Sequence, residues 1–319
     1  MTDLRALFGE QVQEQMLLAP YTSARIGGPA DTLVTVRNAD ALARAVQACL
    51  EHDLAFTMLG GGANVLVSDK GVRGIVILNR AKAVEFREAA EPRVWAESGA
   101  VFSNLAHRAA AKGLAGLEWA TAVPGTVGGA VYGNAGAFDG DVAQDLLRAE
   151  ILDESGRSWW PVEKLEYGYR SSILKHGHAR AVVLSAEFRL KNGRTEEIQA
   201  KIDQFTAHRK ISQPPGASMG SMFKNPPGDY AGRLIEAAGL KGTRIGNAEI
   251  STVHGNFFVN HPVVHRPDVP AGKTSGQAGE TKASDIRKLI ELAQKTVKEK
   301  FGTLLELEVE LIGEWNEDD

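Results

Sequence analysis

The sequence has little of several features that would place it in a simple class of protein. Cys49 is its only cysteine, so an internal disulfide and a thiolate metal cluster are both excluded. The formal net charge is −4, with 24% charged residues, and this balance argues against nucleic acid or an acidic membrane as the main partner. No apolar stretch near the N-terminus resembles a signal peptide. We therefore expect a cytoplasmic location.

Several familiar motifs are missing as well. The eight histidines include no H-E-x-x-H pair, so we expect no metal site. The glycine-rich segments match neither the G-x-G-x-x-G that opens a Rossmann helix nor a Walker A loop. The uncharged window Trp119–Phe138 contains Pro124 and repeated glycine but few Leu or Ile, which disfavours a membrane-spanning helix.

Alternation of apolar strands with amphipathic helices is the main pattern that is present. A chain of 319 residues is too long for one compact core, and we expect three domains with the bounds 1–90, 91–195 and 196–319. The clearest predicted elements are a helix over 39–53 with Cys49 on its apolar face, a helix capped by Ser103 and ended by Gly113, a hairpin turning at Glu154–Gly156, a helix over Ser284–Phe301, and a C-terminal strand "LLELEVELIG".

One segment, His261–Ala283, has a different composition from the rest. It carries three prolines and three glycines, with almost no large apolar residue after Val264. This composition predicts a long, mobile surface loop that tolerates changes in length.

Two glycine-rich segments are candidates for ligand contact. "LGGGANVLV" (Leu59–Val67) places three glycines between two apolar runs, and "VPGTVGGAVYGNAGA" (Val123–Ala137) holds five glycines and no charge. Bare backbone lets a phosphate or a planar ligand approach amide groups directly. Taken alone, the first segment is better explained as a tight strand-to-strand turn, and the second can also be explained as a glycine-rich packing crossover. Their occurrence in neighbouring α/β blocks favours one shared ligand of dinucleotide size.

Two polar motifs leave more than one interpretation open, and a third favours one interpretation. Arg170 in "YGYRSSIL" is either a structural ion-pair partner or a ligand for a carboxylate or phosphate. "GSMFKNP" forms either a polar pocket or a capped turn. The alternating glutamates of "LELEVELIG" read as the solvent face of a half-buried strand.

Taken together, these motifs resemble the UDP-N-acetylenolpyruvoylglucosamine reductases, the MurB family of peptidoglycan synthesis. The resemblance runs from "YTSARIGGPAD" to "LELEVELIG" and includes "LGGGANVLVSDKG", "GLEWATAVPGTVGGAVYGNAGAFDGDV", "YGYRSSIL", "GSMFKNPPGDYAGRLIEAAGLKG" and "EISTVHGNFFVN". Two departures from the family pattern are Ala24, where a larger residue is common, and Leu307, which replaces a proline.

The resemblance implies an α+β fold with a two-part FAD-binding domain of the PCMH or vanillyl-alcohol-oxidase-like type. A smaller α/β substrate-binding domain, which closes over a UDP-sugar, follows it. The resemblance also implies that FAD is bound non-covalently and that NADPH reduces UDP-N-acetylglucosamine enolpyruvate. We expect a monomer that binds neither nucleic acid nor a membrane.

Site residues carried over from the family fall into three groups. The catalytic residues implied are Arg170, Ser221 and Glu308: Ser221 as proton donor, Arg170 and Glu308 as stabilisers of charge on the substrate carboxylate. The implied cofactor contacts are Gly60, Gly61, Gly62, Ala63, Asn64, Val65, Pro124, Gly125, Thr126, Gly128, Gly129, Asn134, Ala135 and Gly136. The implied contacts with substrate or nicotinamide are Lys224, Asn225 and Arg233.

Two other functions compete with this interpretation. One is a different flavoenzyme on the same scaffold, such as an alcohol oxidase that tethers its flavin through His or Cys. The other is a non-catalytic binder of nucleotide sugars, which the joint presence of Arg170, Ser221 and Glu308 disfavours.

Overall fold

The computed structural model describes residues 4–87, 90–176, 180–261 and 281–315, and the predicted loop His261–Ala283 lies almost entirely outside them. The chain forms two compact units: residues 1–14, 31–61 and 74–209, and residues 15–30, 62–73 and 210–319. The finer division at 90 and 195 stays a prediction.

Over the described residues the helices are α1 (Leu4–Phe8), α2 (Ala39–Glu51), α3 (Phe102–Ala110), α4 (Val127–Gly133), α5 (Val142–Asp145), α6 (Ile173–His176), α7 (Thr195–Ser212), α8 (Ala231–Ala237) and α9 (Ala283–Phe301). The strands are β1 (Val12–Leu17), β2 (Pro29–Val36), β3 (Phe56–Leu59), β4 (Val65–Val67), β5 (Val72–Asn79), β6 (Val84–Arg87), β7 (Arg93–Glu97), β8 (Leu114–Ala115), β9 (Gly136–Ala137), β10 (Gly140–Asp141), β11 (Leu146–Asp153), β12 (Gly156–Pro161), β13 (Val182–Arg189), β14 (Lys191–Asn192), β15 (Ala217–Ser221), β16 (Arg244–Ile245), β17 (Ala248–Ile250), β18 (Phe257–Asn260) and β19 (Glu310–Ile312).

The first unit is organised around a five-stranded antiparallel sheet of order β12-β11-β13-β7-β6. Its middle strand β13 is buried along almost its whole length, because its two faces pack into different cores. Val183 and Phe188 join one core together with Phe102 of α3. Val182 and Leu184 join the other core, which is formed with α2. A strand covered on both faces reads as a continuous apolar run; "AVVL" at the start of β13 has that pattern, whereas Ser185 and Glu187 further along are buried polar residues.

Helix α2 confirms the predicted amphipathic helix and its core cysteine. Asn38 caps the helix by accepting a hydrogen bond from the Ala41 N–H at 2.7 Å. Cys49 is fully buried on the inner face, and burial raises the pKa of its thiol to about 11. This cysteine is therefore a small apolar core residue.

The second unit pairs the antiparallel sheet β15-β18-β17-β16 with helices α8 and α9 over a single apolar core. Helix α9 begins one residue before the prediction and ends as predicted at Phe301, with Gly302 in the left-handed region at φ 70°. Asp69 accepts hydrogen bonds from the Ala283 and Ser284 N–H groups, at 2.7 and 2.9 Å. The carboxylate therefore satisfies two donors in the first turn of the helix.

Two local predictions are wrong. Ser103 is not an N-cap, because α3 already begins at Phe102 and its N-cap residue is Val101, which supplies no side-chain cap. The C-terminal strand is not continuous over "LLELEVELIG": only Glu310–Ile312 pairs as a strand, parallel to β4, and Leu307 forms an isolated bridge with Phe223.

Candidate functional site

Helix α4 in the first unit presents a face without side chains. A Cβ built on Gly129 would meet only the Thr126 hydroxyl, at 3.7 Å, and one built on Gly133 would meet nothing within 4 Å. These two glycines are four residues apart and so share one face of the helix. A flat ligand can lie directly against the backbone there, and this face of α4 therefore fits a flavin-sized ring.

Three other glycines expected at the cofactor are fixed by packing within the protein. A Cβ on Gly60 would lie 2.6 Å from the Thr126 Oγ1, and one on Gly61 would lie 2.9 Å from the Gly125 Cα. A Cβ on Gly128 would lie 2.9 Å from the Ser98 Cβ. Side chains are excluded at Gly60 and Gly61 because two glycine-rich segments of this unit touch each other, and at Gly128 because Ser98 packs against it. The bare backbone therefore has a structural cause as well.

The segment after α4 makes hydrogen bonds with the turn that carries Arg170. Asn134 ends the helix in the left-handed region, and its amide donates to the Gly168 carbonyl and accepts from the Ala143 N–H, each at 3.0 Å. The Arg170 guanidinium donates from Nη2 to the Gly136 carbonyl at 2.7 Å. The structure thus joins two motifs, "YGYRSSIL" and the long glycine-rich segment, that are separate in the sequence.

The rest of the first glycine-rich segment, residues 62–65, belongs to the second unit. The Gly62 carbonyl accepts from the Ser23 N–H at 2.8 Å. Asn64 donates from its side chain to the Glu308 carbonyl at 2.9 Å and accepts at its own carbonyl from the Glu310 N–H at 3.0 Å. Asn64 therefore fixes the backbone on both sides of Val309.

Ser221 lines a cavity of about 400 Å³ within the second unit. Asn225 and Arg233 line the same cavity, so three of the predicted site residues come together. Among the described residues the Ser221 hydroxyl has no hydrogen-bond partner, which leaves its proton available to a ligand. Strand β15 shifts register against β18 between Ser218 and Ser221, and such an irregularity re-aims a side chain at the end of a strand.

Two cavity residues, His254 and Asn256, were not predicted individually. Asn256 is 2% exposed. Its side-chain amide accepts a hydrogen bond from the Phe223 N–H at 2.9 Å and donates one to the Phe223 carbonyl at 2.7 Å. The His254 Nδ1 accepts from the Asn256 N–H at 3.1 Å, so a neutral ring carries its proton on Nε2. Burial, followed by the charge of Lys241, lowers the pKa of His254. The one signal for them in the sequence is the motif "EISTVHGNFFVN".

Two cations expected at the substrate have carboxylate partners. Lys224 forms an ion pair with Glu306, in which the lysine side chain is 15% exposed and the glutamate side chain 71% exposed. Arg233 donates from Nε to the Asp229 carboxylate at 2.6 Å and makes a second, shorter contact with it through Nη2. These hydrogen bonds hold the pKa of Asp229 at about 2.

Glu308 lies at a bulge rather than in a regular strand. Its N–H and that of Val309 both approach the Met222 carbonyl, at 2.9 and 3.5 Å, so two residues oppose one. The parity that makes Glu306, Glu308 and Glu310 equivalent in a regular strand is therefore broken at this point. Glu306 is exposed, whereas Glu308 and Glu310 are half-buried.

Other classes of site have little support in the described ranges. No group of three or more His, Cys, Asp or Glu side chains among the described residues could hold a metal ion. No helix within the same ranges is long and apolar enough to cross a membrane.

Comparisons with known proteins identify domains and whole chains that are similar to this one. A family model of the FAD binding domain matches residues 30–160, and a model of the UDP-N-acetylenolpyruvoylglucosamine reductase C-terminal domain matches residues 211–270. The chain is 43% identical over 300 residues to the UDP-N-acetylenolpyruvoylglucosamine reductase of Chloroflexus aggregans (92% of this chain, 95% of that protein). It is 44% identical over 297 residues to the protein of the same name from Rubrobacter xylanophilus (93% and 94%). The crystal structure of the Thermus caldophilus reductase matches with a TM-score of 0.75 at 35% identity, covering 93% of this chain and 97% of that one. The fold class expected from the sequence is thereby confirmed.

Proposed function

Because the chain belongs to the UDP-N-acetylenolpyruvoylglucosamine reductase family, we propose an assignment of its residues to the steps of that reaction. The protein is an FAD-dependent oxidoreductase of peptidoglycan synthesis that uses NADPH as reductant. FAD, when bound, supplies hydride transfer between NADPH and C3 of the enolpyruvyl group. The observation that carries the assignment is the Ser221 hydroxyl, which has no partner among the described residues and lines a cavity with Asn225 and Arg233.

The cofactor is held without a covalent bond in this assignment. Gly129 and Gly133 of α4 admit the flavin against the helix backbone because no side chain covers that face. Cys49, the only thiol, is fully buried in the α2 core and is not accessible for a tether. We assign the predicted contacts 60–65, 124–126, 135 and 136 to the cofactor region, with Gly60, Gly61 and Gly128 contributing backbone only.

Ser221 supplies the proton at C2 of the substrate. A serine hydroxyl is a weak acid, so it protonates only a strongly basic, carbanion-like centre at hydrogen-bond distance. Asn256 fixes the backbone directly after Ser221. Its side-chain amide makes two hydrogen bonds with the Phe223 backbone, and its carbonyl accepts from the Met222 N–H at 2.8 Å. The hydroxyl is therefore carried on a rigid part of the second unit.

Arg170 and Glu308 stabilise the negative charge that develops on the substrate carboxylate. Arg170 donates from Nη2 to the Gly136 carbonyl, and this bond orients a planar guanidinium, the group best suited to bind a carboxylate. A glutamate near the same charge helps most as a protonated hydrogen-bond donor.

Lys224, Asn225 and Arg233 contact the substrate or the nicotinamide cofactor. Their partners Glu306 and Asp229 set the direction of each cation, and the Asn225 Oδ1 accepts from the Ala231 N–H at 3.1 Å. Asn225 is included because it lines the same cavity as Ser221.

For the whole protein we propose a cytoplasmic monomer that acts on a UDP-sugar and NADPH and binds neither nucleic acid nor a membrane. The near-neutral charge balance supports this part of the proposal.

The assignment of Ser221 is tested by separating the two half-reactions. In Ser221→Ala, NADPH should still bleach the flavin at the normal rate, because that step needs no proton from the hydroxyl. Reoxidation of the flavin by the enolpyruvyl substrate should slow by about 10²–10⁴-fold or more. Ser218→Ala, on the same strand, is the matched control and should leave both rates unchanged. Equal slowing of both half-reactions in Ser221→Ala would assign a structural role to this serine.

A further inference from the structure

The turn that carries Arg170 has an unfavourable backbone for its sequence. Gly168 and Ser171 exchange both of their backbone hydrogen bonds, at 3.1 and 3.2 Å, which leaves Tyr169 and Arg170 at the centre of a two-residue turn. Arg170 adopts φ 53°, a left-handed conformation that glycine or asparagine normally supplies at this position. For a side chain such as arginine it costs about 1–2 kcal/mol. Strain of this kind persists only where neighbouring contacts impose it.

The contact that holds the first carbonyl of the turn comes from Asn134. This residue is 4% exposed and lies itself at φ 47° at the end of α4. Its Nδ2 donates to the Gly168 carbonyl and its Oδ1 accepts from the Ala143 N–H. Since one partner is an acceptor and the other a donor, only one orientation of the amide satisfies both.

Further contacts tie the same turn to the same segment. The Tyr167 hydroxyl donates to the Val131 carbonyl at 2.8 Å, and the Ser172 hydroxyl donates to the Tyr132 carbonyl at 2.6 Å. These residues flank the turn on both sides. With the Arg170 guanidinium on the Gly136 carbonyl, the last turn of α4 and the segment after it fix both the backbone and the side chain of Arg170.

We propose that Asn134 is a positioning residue for Arg170, and that its effect on the reaction passes through the Gly168 carbonyl rather than through direct contact with the cofactor. The inference rests on the proposed role of Arg170 at the substrate carboxylate. It reassigns a residue that the sequence motif alone places among the FAD contacts. Burial of Asn134 and the engagement of both ends of its amide within the protein are the reasons.

The variant Asn134→Asp tests this with almost no change of shape. It keeps the acceptor for the Ala143 N–H but removes the donor to the Gly168 carbonyl. We expect the rate constant of the substrate half-reaction to fall by about 10–100-fold, because displacing a catalytic group such as Arg170 by about 1 Å has an effect of this size. FAD content, read from visible absorption, and bleaching by NADPH should be unchanged. Asn38→Asp makes the same exchange at the cap of α2 and should change none of these quantities.

A double-mutant cycle with Arg170→Ala decides the mechanism. If Asn134 acts through Arg170, adding Asn134→Asp to Arg170→Ala should cause no further loss. Additive losses, or loss of FAD from Asn134→Asp, would overturn the inference. If Arg170→Ala itself retains full turnover, the proposed role of Arg170 fails, which is a different result. Should Asn134→Asp not fold, Asn134→Gly enters the same cycle, because glycine accepts φ 47° without strain.

Discussion

Gly128 and Gly129 are neighbours in the first turn of α4, yet the structure predicts opposite consequences for the same substitution. The Gly128 position faces Ser98, whose Cβ and carbonyl oxygen would lie 2.9 and 3.1 Å from an added methyl group. The Gly129 position is exposed, and a methyl group there would reach only Thr126 at 3.7 Å. Gly128→Ala is therefore a packing perturbation, and Gly129→Ala extends into the face assigned to FAD.

The expected magnitudes follow from these contacts. Forcing a methyl group into a packed contact typically costs about 1–3 kcal/mol, which lowers Tm by roughly 2–12 °C for a unit of this size. Ser98 has little freedom to move away, because its carbonyl accepts the Gly128 N–H at 2.7 Å. At Gly129 the exchange meets no clash, and alanine is a better helix former than glycine by about 1 kcal/mol. Gly129→Ala should therefore leave the apoprotein equally stable or slightly more stable.

The assay measures two quantities for each variant. Calorimetry of the apoprotein reports Tm, and titration with FAD reports the Kd of the cofactor. We expect Gly128→Ala to lower Tm. We expect Gly129→Ala to weaken FAD binding without lowering Tm, and Gly129→Phe to abolish FAD binding because a large ring fills the ligand space.

Two outcomes would refute this reasoning. If Gly129→Phe binds FAD with normal affinity, the bare face of α4 is not where the flavin lies. If Gly128→Ala and Gly129→Ala lower Tm equally, the structure assigns the wrong environment to one of the two glycines.

Two further predictions concern carboxylates of the second unit. Glu308→Gln should slow substrate-driven flavin reoxidation moderately and Glu308→Ala by about 10²–10³-fold, whereas Glu310→Ala should have a much smaller effect; similar rates in the two alanine variants would make Glu308 an ordinary surface residue. The Asp229 carboxyl should titrate near its pKa of about 2, so its stabilising contact with Arg233 is complete above a pH of about 4 and lost as the pH falls through about 2. In Arg233→Ala the NMR titration of Asp229 should move up toward the ordinary carboxyl range, and an unchanged titration would show that the contact is absent in solution.

The elements that the sequence predicts well are those with strong local patterns. Helix α2 has an apolar face, an N-cap at Asn38 and a composition rich in alanine and leucine, which are good helix formers, and helix α9 ends at a glycine. The residue at which a helix begins is harder to predict, as α3 shows. Val101 and Thr126 form an isolated antiparallel bridge, and the Phe102 N–H bonds the Gly125 carbonyl at 3.1 Å. This tertiary contact sets the start of α3, and no local cap signal reveals it.

The candidate site shows the same division between local and distant information. The motif around Ser221 identifies the residues of one cavity wall, because they are close in sequence. Asn256 was not identified individually, since its importance comes from pairing with Phe223, which is 33 positions away. The bulge at Glu308 depends in the same way on Met222, so period-2 reasoning alone makes Glu306 and Glu308 equivalent when they are not.

The pairing of Asn64 with Glu308 also has a consequence for the timing of protein synthesis. The two residues are 244 positions apart, and β4 obtains its parallel partner β19 only when residues 310–312 have left the ribosome. At 5–20 residues per second, β4 waits roughly 12–50 s for that partner. During this time an apolar strand edge of the second unit is exposed to other nascent chains. A chain stopped before residue 305 would keep that edge unpaired for good, and such truncated chains should aggregate even when the helices and sheets of the first unit are complete.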